Sequence, residues 1–186
     1  MSDRIIARWQ DWSGEGLEHL VLRQTASEVV AESSIIARLD GHPMALNYRI
    51  ECDPSWRVRK VEVAAVGDER RIQLASDGRG NWRDGSGIAQ PQFAGAIDVD
   101  ISATPFTNTL PIRRLKLTQG ASAEILVVYI LLPAFEVMTD RQRYTALDAE
   151  GRRYRYESVD SDFTRDIDVE EHGLVVVYPG LFRRLE

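Results

Sequence analysis

Asp98 and Asp100, two residues apart in the run IDVDI, are the pair of side chains in this sequence best spaced to do chemistry. On a β-strand both project from one face, with carboxyl groups roughly 6–7 Å apart as set by the rise per residue. Carboxylates at such a spacing serve acid/base chemistry, glycoside hydrolysis among it. Arg113 and Arg114 follow after a chain reversal at Pro105 and Pro111. A carboxylate–guanidinium brace pinning that loop is therefore the reading we favour, with catalysis as its competitor. Asn108 and Thr109 sit between the same two prolines, where their side chains cap a turn, bond backbone or contact a ligand.

Other chemistry-bearing residues fall short of a recognisable site. His19, His42 and His172 lie at no metal-ligand spacing, so neither a metal nor a cofactor is expected. The sequence holds no G-x-S-x-G, Walker loop or H-E-x-x-H. Gly78-Arg79-Gly80 begins like a dinucleotide loop but lacks its continuation and its βαβ setting. Trp9, Trp12, Trp56 and Trp82 read as core or rim packing, with the lining of an apolar cavity as the alternative. Arg152, Arg153 and Arg155, like Arg183 and Arg184, read as solvated surface. Cys52 stands alone and has no disulfide partner within the chain.

The elements that must position these residues are short β-runs separated by turn residues. Leu17–Arg23, 27–39, 44–52 and Trp56–Val66 come first. In the last of these the apolar phase changes, since Trp56 and Val58 are even and Val61 and Val63 odd, which requires a bulge or bend and points to strong sheet curvature. Residues 70–85 form a hairpin turning at Asp77-Gly78 and Gly80. TPFTNTLPIRRL, with two prolines six apart, admits only a turn of helix. Ile125–Leu132 is apolar on both faces, as in a strand covered on both sides. Tyr154 and Tyr156 are in phase, and Asp162–Val169 and Leu174–Tyr178 are the last strands.

Ten or so strands in 186 residues, without repeats or linkers, predict one domain over residues 1–186. Its class is all-β and mainly antiparallel, a strongly bent sheet or (half-)barrel with an apolar cavity and one or two short helices. With 23 Lys+Arg against 29 Asp+Glu, the net charge of −6 argues against a nucleic-acid partner. MSDRIIARWQDW has no apolar leader stretch, and the longest apolar run, Ile125–Phe135, is 11 residues. Cytoplasmic location and no membrane insertion are the expectations.

The stretch AGAIDVDISATPFTNTLPIRRLKLTQG resembles the central motif of the bacterial "putative glycolipid-binding" family. The matching residues are Gly95, Asp98, Asp100, Thr104-Pro105 and Asn108 through Leu115. The flanks fit too: Gly16-Leu17-Glu18, Cys52-Asp53 before Trp56, Gln142-Arg143-Tyr144-Thr145, and Gly173-Leu174-Val175 before Tyr178-Pro179-Gly180. The resemblance runs from about Trp9 to Phe182. It implies a bent antiparallel barrel around an apolar cavity, similar to bacterial carriers of lipids and lipoproteins, and it carries over no catalytic residue.

The first reading is non-enzymatic binding of a hydrophobic or amphiphilic small molecule, a lipid or glycolipid. Its tail would lie on Ile125–Leu132 and Leu174–Val177. Its head would lie at a mouth formed by TPFTNTLPIRRL, within reach of Asn108, Thr109 and Arg113. Candidate ligand-binding residues are Trp56, Trp82, Asp98, Asp100, Asn108, Thr109, Arg113, Arg114, Tyr144 and Tyr178. The competing readings are a hydrolase or isomerase of an apolar substrate using Asp98 or Asp100, and an interaction module or homodimer joined through strand edges.

Overall fold

Among the described residues, period-two alternation of buried and exposed side chains builds fourteen strands into one sheet. The computed structural model of the protein describes residues 3–186. The strands are β1 (Asp3–Asp11), β2 (Leu17–Gln24), β3 (Val29–Leu39), β4 (His42–Cys52), β5 (Val58–Ala65), β6 (Arg71–Ser76) and β7 (Trp82–Asp84). Then come β8 (Asp98–Ile101), β9 (Ser122–Leu131), β10 (Glu136–Ala146), β11 (Arg153–Ser158), β12 (Thr164–Val169), β13 (Val175–Tyr178) and β14 (Phe182–Leu185). The sheet order is β7-β6-β5-β4-β3-β2-β1-β14-β13-β12-β11-β10-β9-β8, and β8–β9 is the parallel pair. Two meanders thus meet where β1 pairs with β14.

The inward face is continuous from strand to strand. Ala7, Leu20, Ser33, Tyr48, Val63 and Ile72 form one cross-strand row, and all are buried. The expected bulge is present in β5: Glu51 opposes Lys60 but Cys52 opposes Val58, which leaves Arg59 as the extra residue. That insertion lets Val58 and Val61 both face the core. In β9, Val127 and Val128 are both buried, because residues on both faces of this strand meet packed neighbours.

The sheet curls until β5 lies near β8, yet it stays open, with β7 and β8 as its edges. The chain from β7 through β8 to β9 fills the curve. It makes a 3₁₀ turn at Pro91–Phe93, strand β8, a second 3₁₀ turn at Phe106–Asn108 and helix α1 (Thr109–Leu115). Pro111 falls in the first turn of α1, where no intrahelical N–H is needed. Lys116, at φ 49°, closes the helix in the left-handed region. Phe93, Val99, Ile101, Phe106 and Leu110 pack into the core shared with β1–β6, while Ile112 joins a second cluster with Tyr144, Tyr154, Tyr156, Ile167 and Tyr178. Val128, Ile130, Leu132 and Leu174 belong to the first core and Val175 to the second. The surfaces expected to hold a ligand tail are therefore packed against the chain's own side chains. Among the described residues, no helix is long and apolar enough to cross a membrane.

The central segment approaches the β6–β7 hairpin closely at one point. Gly95 N–H donates to the Gly80 carbonyl at 3.0 Å, and a Cβ on Gly80 would stand 2.7 Å from the Gly95 backbone. Gly80 also has φ +92°. We expect Gly80→Ala to lower unfolding free energy by about 2–3 kcal/mol, combining backbone strain with displacement of that contact. Gly41→Ala, at φ +80° with open space around it, should cost about 1 kcal/mol. Urea titration of both variants checks this, and equal losses would refute the close-approach argument.

Candidate functional site

Strand β8 places Asp98 and Asp100 on one face, as its alternation requires, but their surroundings differ. Asp98 is fully buried and accepts a bidentate pair from Arg114 in the last turn of α1, with Nη2 at 2.5 Å and Nε at 3.1 Å. This is the brace expected from the sequence. Burial raises the Asp98 pKa, and the Arg114 guanidinium opposes the rise. Both oxygens are committed to Arg114, so Asp98 is a structural residue.

Asp100 has no such cation. Its Oδ1 accepts from Thr107 Oγ1 at 2.8 Å and its Oδ2 from Gln142 Nε2 at 2.7 Å. The same Gln142 nitrogen reaches Asp140 Oδ2 at 3.1 Å, which holds the two carboxylates within about 6 Å of each other. Burial raises both pKa values, only partly offset by these neutral donors. Asp140 feels in addition the negative charge of Asp160.

These two carboxylates open onto a cleft of about 360 Å³. Its walls are aromatic and polar together: Tyr129, Tyr156, Phe163, Tyr178 and Phe182, with Asp100, Asp140, Asn108, Thr104 and three serines, while Leu181 is its apolar rim. The rings brace one another, Tyr156 meeting Tyr144 edge-on at 5.5 Å and Phe163 at 5.9 Å, and Tyr178 meeting Tyr156 at 6.2 Å and Phe182 at 6.4 Å. Tyr156 and Tyr178 are only 6% and 5% exposed. Neither hydroxyl finds a hydrogen-bond partner among the described residues, yet neither is sealed from the cleft. Burial, then the nearby Asp100 charge, raises both pKa values, so both hydroxyls keep their protons.

Of the ten residues singled out in the sequence, Asp100, Asn108 and Tyr178 line this cleft. Asn108 is held in place by donating from Nδ2 to Tyr144 Oη at 2.8 Å, and Tyr144 itself lies beneath, in the core. The others stand elsewhere. Trp82 is a core residue whose indole N–H donates to the Ala96 carbonyl, and Trp56 is a core residue under the Arg113 guanidinium, 5.1 Å from its ring centroid. Thr109 is fully buried, and its hydroxyl has no partner among the described residues. TPFTNTLPIRRL does not form a mouth: Thr104 to Ile112 are buried inside the curl, because this is the segment that fills it. Arg113 lines a separate depression with Lys116, Tyr154 and Glu170. Larger depressions exist, but on the convex face Glu32 pairs with Arg49 and Arg23, and beside β7 Asp77 is bonded by Asn81.

Sequence reasoning missed Tyr129, Asp140, Tyr156, Phe163 and Phe182, which come from five different strands or loops. It also missed Glu18. The alternation L-E-H-L-V-L contained the signal, because Glu18 shares the inward face with Leu20 and Leu22. Its buried carboxylate accepts from Ser33 Oγ at 2.8 Å, Tyr48 Oη at 2.7 Å and Thr104 Oγ1 at 2.7 Å. It therefore ties β2, β3 and β4 to the central segment. Burial pushes its pKa up to about 7 against the pull of these three donors.

The family described as "Putative glycolipid-binding" matches residues 6–184. This chain belongs to that family. It is also similar to the crystal structure of a DUF1089 family protein from Pseudomonas aeruginosa, at 41% identity over 92% of each chain with a TM-score of 0.79. No curated protein matches it. The family match covers all of the cleft, from Asp100 on β8 to Phe182 on β14.

Two predictions follow from the buried carboxylates. Glu18 binds its proton more tightly in the folded chain, at about 7 against 4.5. Stability conferred by that proton is full below about pH 4.5, falls as pH rises to 7, and is level above it. Over that window the loss is on the order of 3 kcal/mol. We expect the melting temperature of Glu18→Gln, relative to wild type, to rise from pH 5 to pH 8; parallel curves would rule out the raised pKa. Asp98→Ala, which strands the Arg114 charge, should cost about 3–5 kcal/mol by chemical denaturation. A loss under 1 kcal/mol would show that the brace does not hold the central segment.

Proposed function

We propose that the protein binds the polar head of an amphiphile, a glycolipid in the sense of the family description, in the cleft between β8, β10 and the β11–β14 strands. The observation that carries this reading is an aromatic cleft lined by two nearly buried tyrosines, whose hydroxyls have no partner among the described residues, beside two carboxylates. Aromatic faces pack against the C–H faces of a sugar ring, and hydroxyls and carboxylates bond its hydroxyls. The filled interior supports a tail that stays outside the curl. Leu181, 37% exposed, lines the rim, and its carbonyl accepts from the backbone of Trp12, 49% exposed. These two side chains supply an apolar exit. The continuous sheet supports treating residues 1–186 as one domain.

A hydrolytic reading keeps one specific support. Asp98 is tied up by Arg114, but Asp100 and Asp140 have raised pKa values and a separation compatible with that of paired carboxylates in retaining glycosidases. Release of a sugar product from a bound glycolipid, lost in Asp100→Asn, would favour it over simple binding.

Native mass spectrometry of protein purified from its own host tests the binding reading. We expect a stoichiometric amphiphile adduct, and occupancy reduced about tenfold or more in Tyr156→Phe/Tyr178→Phe, which keeps the rings and removes two charge-neighbouring hydroxyls. A clean apo mass, with no rise in melting temperature across a glycolipid panel, would overturn it.

A further inference from the structure

The cleft lining is unbalanced in charge. Asp100 and Asp140 contribute two carboxylates, while the lining residues include no arginine, lysine or histidine. The groups answering those carboxylates are neutral: the Thr107 hydroxyl and one Gln142 amide nitrogen shared between them. One neutral amide cannot compensate two desolvated negative charges. The surrounding cations are engaged elsewhere. Arg114 pairs with Asp98, and Arg141 pairs with Glu124 and Asp160. Arg165, at the rim, stacks 4.7 Å over the Phe163 ring and donates to the carbonyls of Thr164 and Pro179.

The remaining walls suit a positive charge. Tyr129, Tyr156, Phe163 and Tyr178 surround the space in front of Asp100, and aromatic faces attract cations through their quadrupoles. Tyr156 and Tyr178 are nearly buried, and their hydroxyls, without partners among the described residues, also have lone pairs to offer N–H donors. Carboxylates backed by aromatic rings are the chemistry that recognises ammonium groups.

We propose that the head group taken by this cleft carries a cationic nitrogen, a protonated amine or a quaternary ammonium, seated between Asp100, Asp140 and the tyrosines. This rests on the cleft being the binding site. Phosphate, sulfate and carboxylate heads are disfavoured by the same charges, since each would face Asp100 and Asp140, while Arg165, outside the lining, is held over the Phe163 ring and by two carbonyls.

Three probes of equal tail length separate the head from the tail: octyltrimethylammonium, octyl β-glucoside and octyl sulfate, titrated calorimetrically below their micelle concentrations. We expect octyltrimethylammonium to bind tighter than the other two by a factor of about ten or more. Asp140→Asn, on the half-exposed side of the cleft, should bring the ammonium-to-glucoside ratio toward one, and Asp100→Asn/Asp140→Asn should abolish it. Equal or tighter binding of the glucoside or the sulfate would overturn the cationic assignment and leave the cleft as a binding site. Binding of none of the three would overturn the cleft itself.

Discussion

A strongly curled, open sheet leaves a concave apolar face that must be covered, and residues 91–116 are what covers it. Putting a connecting segment inside a sheet is costly unless its polar groups are bonded there. Three buried links meet this demand. Thr104 closes onto Glu18, Asn108 onto Tyr144, and Arg114 onto Asp98. The first two join the segment to the β2–β4 wall and the β10 wall, and the third braces α1 onto β8 within it. The segment is therefore fixed in position by directional bonds, while Phe106 and Leu110 supply the apolar area that makes its burial favourable.

The same constraint explains why the cleft lies where it does. The segment packs against β1–β6 and, through Ile112, against part of the second meander, but it leaves the space before Tyr156 and Tyr178 uncovered. There Asp100 and Asn108 reach the end of the core and line the cleft, with one side satisfied by the scaffold. Thr107 and Gln142 orient Asp100, and Tyr144 orients Asn108. Residues held from behind and open in front have low reorganisation cost on binding. Asp98, two residues earlier, faces the same way but is answered in full by Arg114, so the pair read in the sequence divides into one structural and one accessible carboxylate.

The fold was legible wherever alternation was clean. Leu20 and Leu22, the phase change around Val58 and Val61, and the doubly covered β9 each announced their structure through period and residue type. β1 and β10 were not read, because RIIARWQD and EVMTDRQRYTA spread charge over both faces and put Ile6 and Met138 in solvent, and β14 was not read, because Pro179-Gly180 looks like the end of the sheet whereas FRRL continues it. The cleft was legible only in part. Asp100 and Asn108 stand close together in one motif, whereas Tyr129, Asp140, Tyr156, Phe163 and Phe182 meet only through the register of β9 to β14. Register is a property of the assembled sheet, and no local spacing in the chain encodes it.

The family description and the filled interior also bear on each other. A carrier that swallows an acyl chain needs an empty apolar cavity, and here the core positions that would line one are occupied by Phe93, Phe106 and Leu110. Moving the segment aside would break the Glu18 and Asn108 links and the β8–β9 pairing together, which amounts to unfolding much of the core rather than opening a gate. On the proposed binding reading, selectivity would reside in the head group, at a cleft whose rings and carboxylates are already in place. The tail would be left to the exposed apolar side chains of Leu181 and Trp12, where chain length would matter little. Such an arrangement would discriminate among head groups by charge and shape while accepting tails of varied length.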